Sequence, residues 1–432
     1  MTEGIAQGPP LSPPSFPPPK VLDGQRTAEH VEVPDSTNNS SGPLEMSWRT
    51  AAADEDMEAS WKEASAGALV ENNPSKLRRA SSIAGNVLVA ETEEGKKAFW
   101  MQRKLTEETH SRNYVRVGFP LKPALIEDEE MLGAWTVKRT EGGQYPFEMA
   151  AIKVQPHAKV FPDDDDEDEE GANGDEKQKE VSKISLMRNP KNEISALQMI
   201  KAADPDGTGH VLGAEYVVTD DVMVYIIMPY CKEGSLLDKM GASGRNGRLE
   251  EAEACKFFCD IVKGLATLQK VGLCHRNLSL ERMLIRGEHC HISSLGWCVR
   301  IPTSEDGSVR HLIEPSWGCG KQPEYVAPEL FLNQPFDGFA VDIWAAGVML
   351  YLLLFGGDML FAAPIPEDPK FQEMCVRGNL KSVVDKFQAL IPSEKPVSEE
   401  AIDLVQNMLL ADPAKRLTLS QIQDHPWVKG GA

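Results

Sequence analysis

Residues 275–284 read HRNLSLERML. Upstream, residues 250–269 place Ala252, Cys255, Phe258, Ile261, Val262 and Leu265 at helical spacing, which predicts a helix with one buried face. Downstream, Ser294-Leu295-Gly296 begins 17 residues after Asn277. The apolar run Ile343–Phe355 is 13 residues long, too short to span a bilayer and long enough for a core helix. On the N-terminal side lie strand-like runs at 131–138 and 147–154, with the turn residues EGGQ between them. A helical stretch at 192–203 follows, then strand-like runs at 211–218 and 222–228. Strands, one helix and more strands, followed by many helices, predict an α+β chain with two unequal lobes.

Several short motifs share one order. Ala151-Ile152-Lys153 ends a strand, and Glu193 sits in the first turn of the next helix. His275-Arg276-Asn277 comes next, then Ser294-Leu295-Gly296, then Pro323-Glu-Tyr-Val-Ala327-Pro328-Glu329. Asp342-Ile-Trp344-Ala-Ala-Gly347 opens the apolar helix, and Asp412-Pro-Ala-Lys-Arg416 with His425-Pro-Trp427 closes the pattern. In this order and spacing the chain resembles the eukaryotic protein kinases of the Ser/Thr type, over about 120–429. The resemblance implies a small β-rich N-lobe with one main helix (about 120–230) and a larger helical C-lobe (about 231–429). It implies architectural roles for most retained residues. Glu329 is expected to pair with Arg416, and Asp342 to cap the backbone of the 275–277 turn. Leu295 takes the phenylalanine place of D-F-G, with His275 beneath it and Gly296 after it. Arg276 is the expected holder of an activation-loop phosphate, with Thr303, Ser304 and Ser308 as candidate acceptors. Gly133, Val137, Ala151, Lys153, Glu193, Met228 and Leu284 are the candidate nucleotide-binding positions.

The residues that would carry phosphoryl transfer differ from the family pattern. Kinases read H-R-D-L-x-x-x-N, usually with a lysine between, and D-F-G. Here Asn277 replaces the catalytic aspartate, Ser279 the lysine, Arg282 the asparagine and Ser294 the D-F-G aspartate. An amide cannot take a proton from a substrate hydroxyl. Serine is a weak ligand for Mg²⁺, and arginine's fixed positive charge repels it. Arg282 contacting phosphate directly is the alternative in which transfer persists. The glycine-rich loop, placed at Leu132–Val137, offers the single Gly133, and Trp135 is expected to fill phosphate space. A Lys153–Glu193 ion pair either binds nucleotide or simply holds helix to sheet. The expectation is a pseudokinase acting as scaffold or allosteric regulator. ATP is the candidate cofactor, no Mg²⁺ site is expected, and no metal ligands are assigned. The alternative is a low-activity or rewired Ser/Thr kinase.

Outside this region, residues 1–110 are expected to be a disordered Pro-rich and polar segment, with a weak helix at 86–106. Seven prolines in the first 20 residues include two PxxP spacings, a candidate ligand for an SH3-type partner. Arg78-Arg79-Ala80-Ser81-Ser82 is a basophilic kinase pattern, with Ser81 or Ser82 as acceptor. Residues 163–170 are eight consecutive acids within a predicted disordered insert at 162–180. The net charge of −21 argues against nucleic acid as the main partner. Other signalling proteins, an active kinase among them, are the expected partners. The eight cysteines form no CxxC pair and read as reduced thiols of an intracellular, cytoplasmic protein. Asp204–Glu215 has acids at EF-hand places, but Leu212 stands at a ligand position and strand follows where a helix should, so calcium is not assigned.

Overall fold

A computed structural model of the chain describes residues 78–83, 87–92, 95–107, 114–123, 135–137, 149–156, 190–220, 222–243, 247–304, 310–314, 322–356, 360–361, 363–389 and 396–430. The chain divides into Met1–Arg49 and Thr50–Ala432, and all described residues belong to the second unit.

Eight strands form the N-terminal sheet: β1 (Arg78–Ile83), β2 (Val87–Thr92), β3 (Gly95–Glu107), β4 (Tyr114–Pro123), β5 (Trp135–Val137), β6 (Ala150–Pro156), β7 (Tyr216–Thr219) and β8 (Met223–Pro229). Their order is β3-β2-β1-β7-β8-β6-β4-β5, and β3 also pairs with β4. That extra pairing closes seven strands into a ring, with β5 attached to β4. Closure removes the unpaired edges that an open sheet leaves. Leu88, Ala90, Phe99, Met101, Ala150, Ile152, Val154, Val218, Tyr225 and Ile227 form its buried core. Alternation along β6 sends Ala150, Ile152 and Val154 into that core and leaves Ala151, Lys153 and Gln155 on the opposite face.

This corrects two expectations. Residues 78–107 are not a disordered segment with a weak helix: they supply β1, β2 and β3, so the sheet includes chain well before 120. Leu88, Val89, Ala90, Ala98, Phe99 and Met101 are buried by cross-strand neighbours, which short mixed runs do not announce. Second, the strand beside β6 is β4, which forms a hairpin with β3. The segment that joins β3 to β4, 108–113, contains no glycine and lies outside the described residues. Trp135–Val137 is instead a strand paired with Leu121–Pro123, one strand removed from β6. Gly133 lies outside the described residues, as does the Trp135 side chain.

Helix α1 (Pro190–Ala203) links the sheet to the C-terminal half, which is built on α2 (Leu236–Ala242), α3 (Glu251–Lys270) and α4 (Gly338–Phe355). In α3 the buried face is Ala254, Cys255, Phe257, Phe258, Ile261, Val262, Leu265 and Leu268; Ala252 is exposed, contrary to expectation. The 18 residues of α4 are apolar enough to cross a membrane, but 89% of them are buried within the fold, so α4 is a core helix. Short strands carry the site: β9 (Leu273–Cys274), β10 (Met283–Arg286), β11 (His289–Ile292) and β12 (Val299–Arg300), paired β10–β11 and β9–β12. Among the described residues the cysteines are free thiols, most of them buried. Tyr216–Thr219 is a strand, and Asp204 caps its own turn by accepting from Thr208 N and Gly209 N. Residues 1–77 and 157–189, with the PxxP spacings and the acidic run, lie outside the described residues.

Candidate active site

The loop 275–282 is held from below by one carboxylate. Asp342, near the start of α4, accepts from His275 N at 2.6 Å and from Arg276 N at 2.7 Å. It is fully enclosed, and burial pushes its pKa up to about 7 against those two bonds. Arg276 takes a left-handed backbone (φ 61°) and donates Nε to Trp297 O at 3.0 Å. His275 is buried between two backbone groups: Nε2 donates to Ser293 O at 2.9 Å and Nδ1 accepts from Asn277 N at 3.2 Å. This tautomer follows from the bonds, since an N–H must meet an acceptor. Burial pushes its pKa down to about 4. A proton on Nδ1 would oppose the Asn277 N–H, which acts in the same direction.

Histidine held neutral in this way should make the fold acid-labile. The unfolded side chain titrates at 6.5 and the folded one at about 4. Its contribution is therefore complete above 6.5 and lost as pH falls toward 4. Asp342, raised by burial, acts oppositely. The prediction is a difference: between pH 6.5 and 4, wild-type stability should fall more steeply than that of His275→Gln, by up to ~1.4 kcal/mol per pH unit. Urea unfolding across that range measures it, and parallel curves would count against it.

The substituted residues are bonded to one another. Asn277 is buried, and with its amide turned to match its neighbours its oxygen accepts from Trp297 Nε1 and Arg282 Nη2, each at 3.1 Å. Arg282 Nη1 donates to Ser279 Oγ at 2.6 Å and to Gln322 Oε1. Ser279 Oγ donates to Glu281 Oε2 at 2.8 Å, and Gln322 Nε2 donates to the same oxygen. Five residues thus form a closed polar network around the guanidinium, tied to Trp297. Ser294 lies apart: it is exposed and left-handed (φ 67°, ψ 53°), a conformation costly for any residue with a Cβ other than Asn or Asp. Leu295 and Gly296 are buried in the short turn that follows.

On the opposite wall, Lys153 Nζ meets both Glu193 carboxylate oxygens at 2.6 and 2.5 Å, with both side chains buried. Helix α1 packs against Leu295–Trp297, so the ion pair sits on a helix already docked. Ala151 and Met228 are cross-strand partners, half-buried beside fully buried neighbours, and Leu284 is half-buried in β10. Val137 is in β5, away from this group. Far below, Arg416 donates to Glu329 at 2.8 and 3.1 Å.

Candidate phosphosites are dispersed. Ser81 and Ser82 are in β1, backbone-paired with Val89 and Leu88, and not in a free tail. Ser304 is half-buried beside Thr303, which bridges Arg310; Ser308 lies outside the described residues. The sequence reading missed Gln322, Glu281 and Trp297. Trp297 directly follows the Ser-Leu-Gly triplet and could have been flagged; Gln322, 40 residues from Arg282, carried no signal.

Comparison with known families matches the Protein kinase domain over residues 173–428, more than half of the chain. The chain belongs to the protein kinase family. As a kinase-family chain it is 30% identical over 224 residues to the serine/threonine-protein kinase SAPK9 of rice, covering 50% of this chain and 56% of the relative. It is 32% identical over 217 residues to the serine/threonine-protein kinase SRK2J of Arabidopsis thaliana, covering 49% and 57%. Against the mouse serine/threonine-protein kinase DCLK3 the figures are 31% over 214 residues, 49% of this chain and 25% of the relative. The chain thus spans little more than half the length of the two plant relatives.

The donor set does not fit the Mg²⁺ ions that the family uses. A guanidinium occupies one ligand position and a neutral hydroxyl the other. Of the candidate nucleotide positions, Lys153 is engaged by Glu193, and Ala151, Met228 and Leu284 are half-buried.

Proposed function

We propose that this protein-kinase-fold chain is a pseudokinase, a binding module that works as scaffold or allosteric partner of other signalling proteins, an active kinase among them. One observation carries the reading. The residues at the catalytic-loop positions satisfy each other: Asn277, Ser279 and Arg282 are joined with Glu281 and Gln322, leaving an amide at the catalytic-base position and a fixed cation at the metal position. The partner of such a module is a protein surface, and the proline-rich tail adds a candidate SH3-type contact.

A second reading keeps low Ser/Thr kinase activity. It rests on the intact Lys153–Glu193 pair and on α1 docked against 295–297. A thermal-shift titration of the full chain with ATP, with and without Mg²⁺, separates the two. The expected result is a Tm that responds equally, or not at all, in both conditions, with any response lost in Lys153→Ala. A shift that requires Mg²⁺, accompanied by phosphate on a protein hydroxyl, would favour the kinase.

A further inference from the structure

Behind β11 three histidines and one carboxylate converge, where the sequence reading assigned no metal ligands. His289 and His291 are two apart on β11 and therefore share a face, while Cys290 between them is buried, its thiol on Phe257 O. His210 reaches the same place from the turn before β7. That turn is tied to the strand by backbone bonds, Ile292 N to His210 O at 2.9 Å and Leu212 N to Ile292 O at 2.8 Å. Its ring lies 5.3 Å from that of His289 and is stacked 5.5 Å from that of His291. Helix α3 supplies Asp260, its side chain 2% exposed, one turn before Gly264. Gly264 is what lets the helix come so close: a Cβ there would lie 2.9 Å from His210 O and 2.7 Å from Ile292 Cδ1.

We propose that His210, Asp260 and His289 form a site for a divalent transition metal of the Zn²⁺ class. One ligand atom from each lies within 4.8 Å of the others. His210 Nδ1 is 3.4 Å from Asp260 Oδ1, and His289 Nδ1 is 3.1 Å from Asp260 Oδ2. Ligands at ~2.0–2.2 Å from a tetrahedral Zn²⁺ stand about 3.3–3.5 Å apart, so the His210–Asp260 spacing matches such an edge, the His289–Asp260 spacing is slightly shorter and runs to the other carboxylate oxygen, and the two imidazoles, within 4.8 Å, would close by side-chain rotation. Two imidazoles and one carboxylate are a borderline donor set that suits Zn²⁺ and not Mg²⁺ or Ca²⁺. The side chain of His289 is 53% exposed and gives the ion a way in.

Hydrogen bonding alone explains part of the cluster. Asp260 also accepts from Cys290 N at 3.1 Å, His210 Nδ1 lies 3.2 Å from Cys290 O, and Lys263 Nζ is 3.8 Å from the carboxylate. It does not explain His291, whose Nδ1 is buried without a hydrogen-bond partner beside His210. Bound metal would cross-link the turn before β7 to the strand that runs into Ser293 and Ser294. This holds whether or not the chain transfers phosphate.

The test is calorimetric titration of the chelator-treated full chain with Zn²⁺, beside His289→Ala and His425→Ala. His425 faces Asp403 at 3.2 Å, is not one of the cluster's residues, and serves as the control histidine. The expected result is one equivalent bound, an affinity at least about tenfold weaker in His289→Ala, and no change in His425→Ala. The half-exposed position of His289 makes misfolding of its variant improbable, and circular dichroism checks it. Absence of saturable uptake, or uptake that His289→Ala leaves unchanged in a folded protein, would overturn the proposal. As a second readout, Co²⁺ should give the intense visible bands of a four-coordinate site in wild type and lose them in His289→Ala.

Discussion

Replacing Arg416 with alanine should destabilise the fold by about 3–5 kcal/mol, the usual cost of leaving one partner of a buried ion pair alone. For a folded region of this size that is a fall in Tm of roughly 6–20 °C. The Arg416 side chain is 0% exposed and that of Glu329 is 3% exposed, so neither charge can recover water where it lies. The guanidinium is used on every side: Glu329 on one edge, Ala340 O at 2.8 Å, Leu410 O at 3.2 Å, and the Trp344 ring with its centroid 5.0 Å away. Alanine would strand the Glu329 carboxylate, two carbonyls and an aromatic face together. Because the cost comes from the stranded charge and not from the pair as such, Glu329→Leu combined with Arg416→Met should recover much of it. Urea unfolding followed by circular dichroism measures both. A loss below about 1 kcal/mol for Arg416→Ala would mean that the pair is only a surface-strength contact.

That pair spans 87 positions, and the sequence names it only through the resemblance of its motifs to the protein kinases. The same holds for Asp342 beneath His275 and for Lys153 opposite Glu193. Other features follow from folding and not from local pattern. Strands β1, β2 and β3 mix charged and apolar residues so evenly that neither period stands out, and only closure of the sheet buries Phe99 and Met101. Closure also makes the β3–β4 hairpin, not 132–137, the neighbour of the lysine strand. Gln322 and His210 are brought in by loop and turn segments, and they meet Arg282 on one side and Asp260 of α3 with His289 of β11 on the other only once the chain is folded. What the sequence does state is the loss of four catalytic side chains; what it leaves out is that three of the replacements, Asn277, Ser279 and Arg282, bond into one network.

That bonding makes a further result expected: restoring the catalytic aspartate alone should achieve nothing. In Asn277→Asp, the new carboxylate would stand where the Asn277 oxygen now does, 3.1 Å from Arg282 Nη2 and from Trp297 Nε1. An adjacent guanidinium and an N–H bond both favour the charged form and hold the carboxyl pKa down. A base made less basic, with its lone pairs engaged, cannot accept a substrate proton efficiently. The protein should be slightly more stable and no more active. Arg282→Asn removes the clamp, releases Ser279 and Gln322, and returns a neutral oxygen ligand to the metal position. In a Ser294→Asp background, phosphoryl transfer from Mg·ATP to a peptide hydroxyl should therefore rise by ~10²–10⁴-fold on adding Asn277→Asp only when Arg282→Asn is already present. The double-mutant cycle should be strongly non-additive, as expected for groups in one network. If Asn277→Asp by itself raised the rate a hundredfold, the guanidinium would not be what silences this loop. The chain would then be one aspartate short of a kinase rather than rebuilt around an arginine.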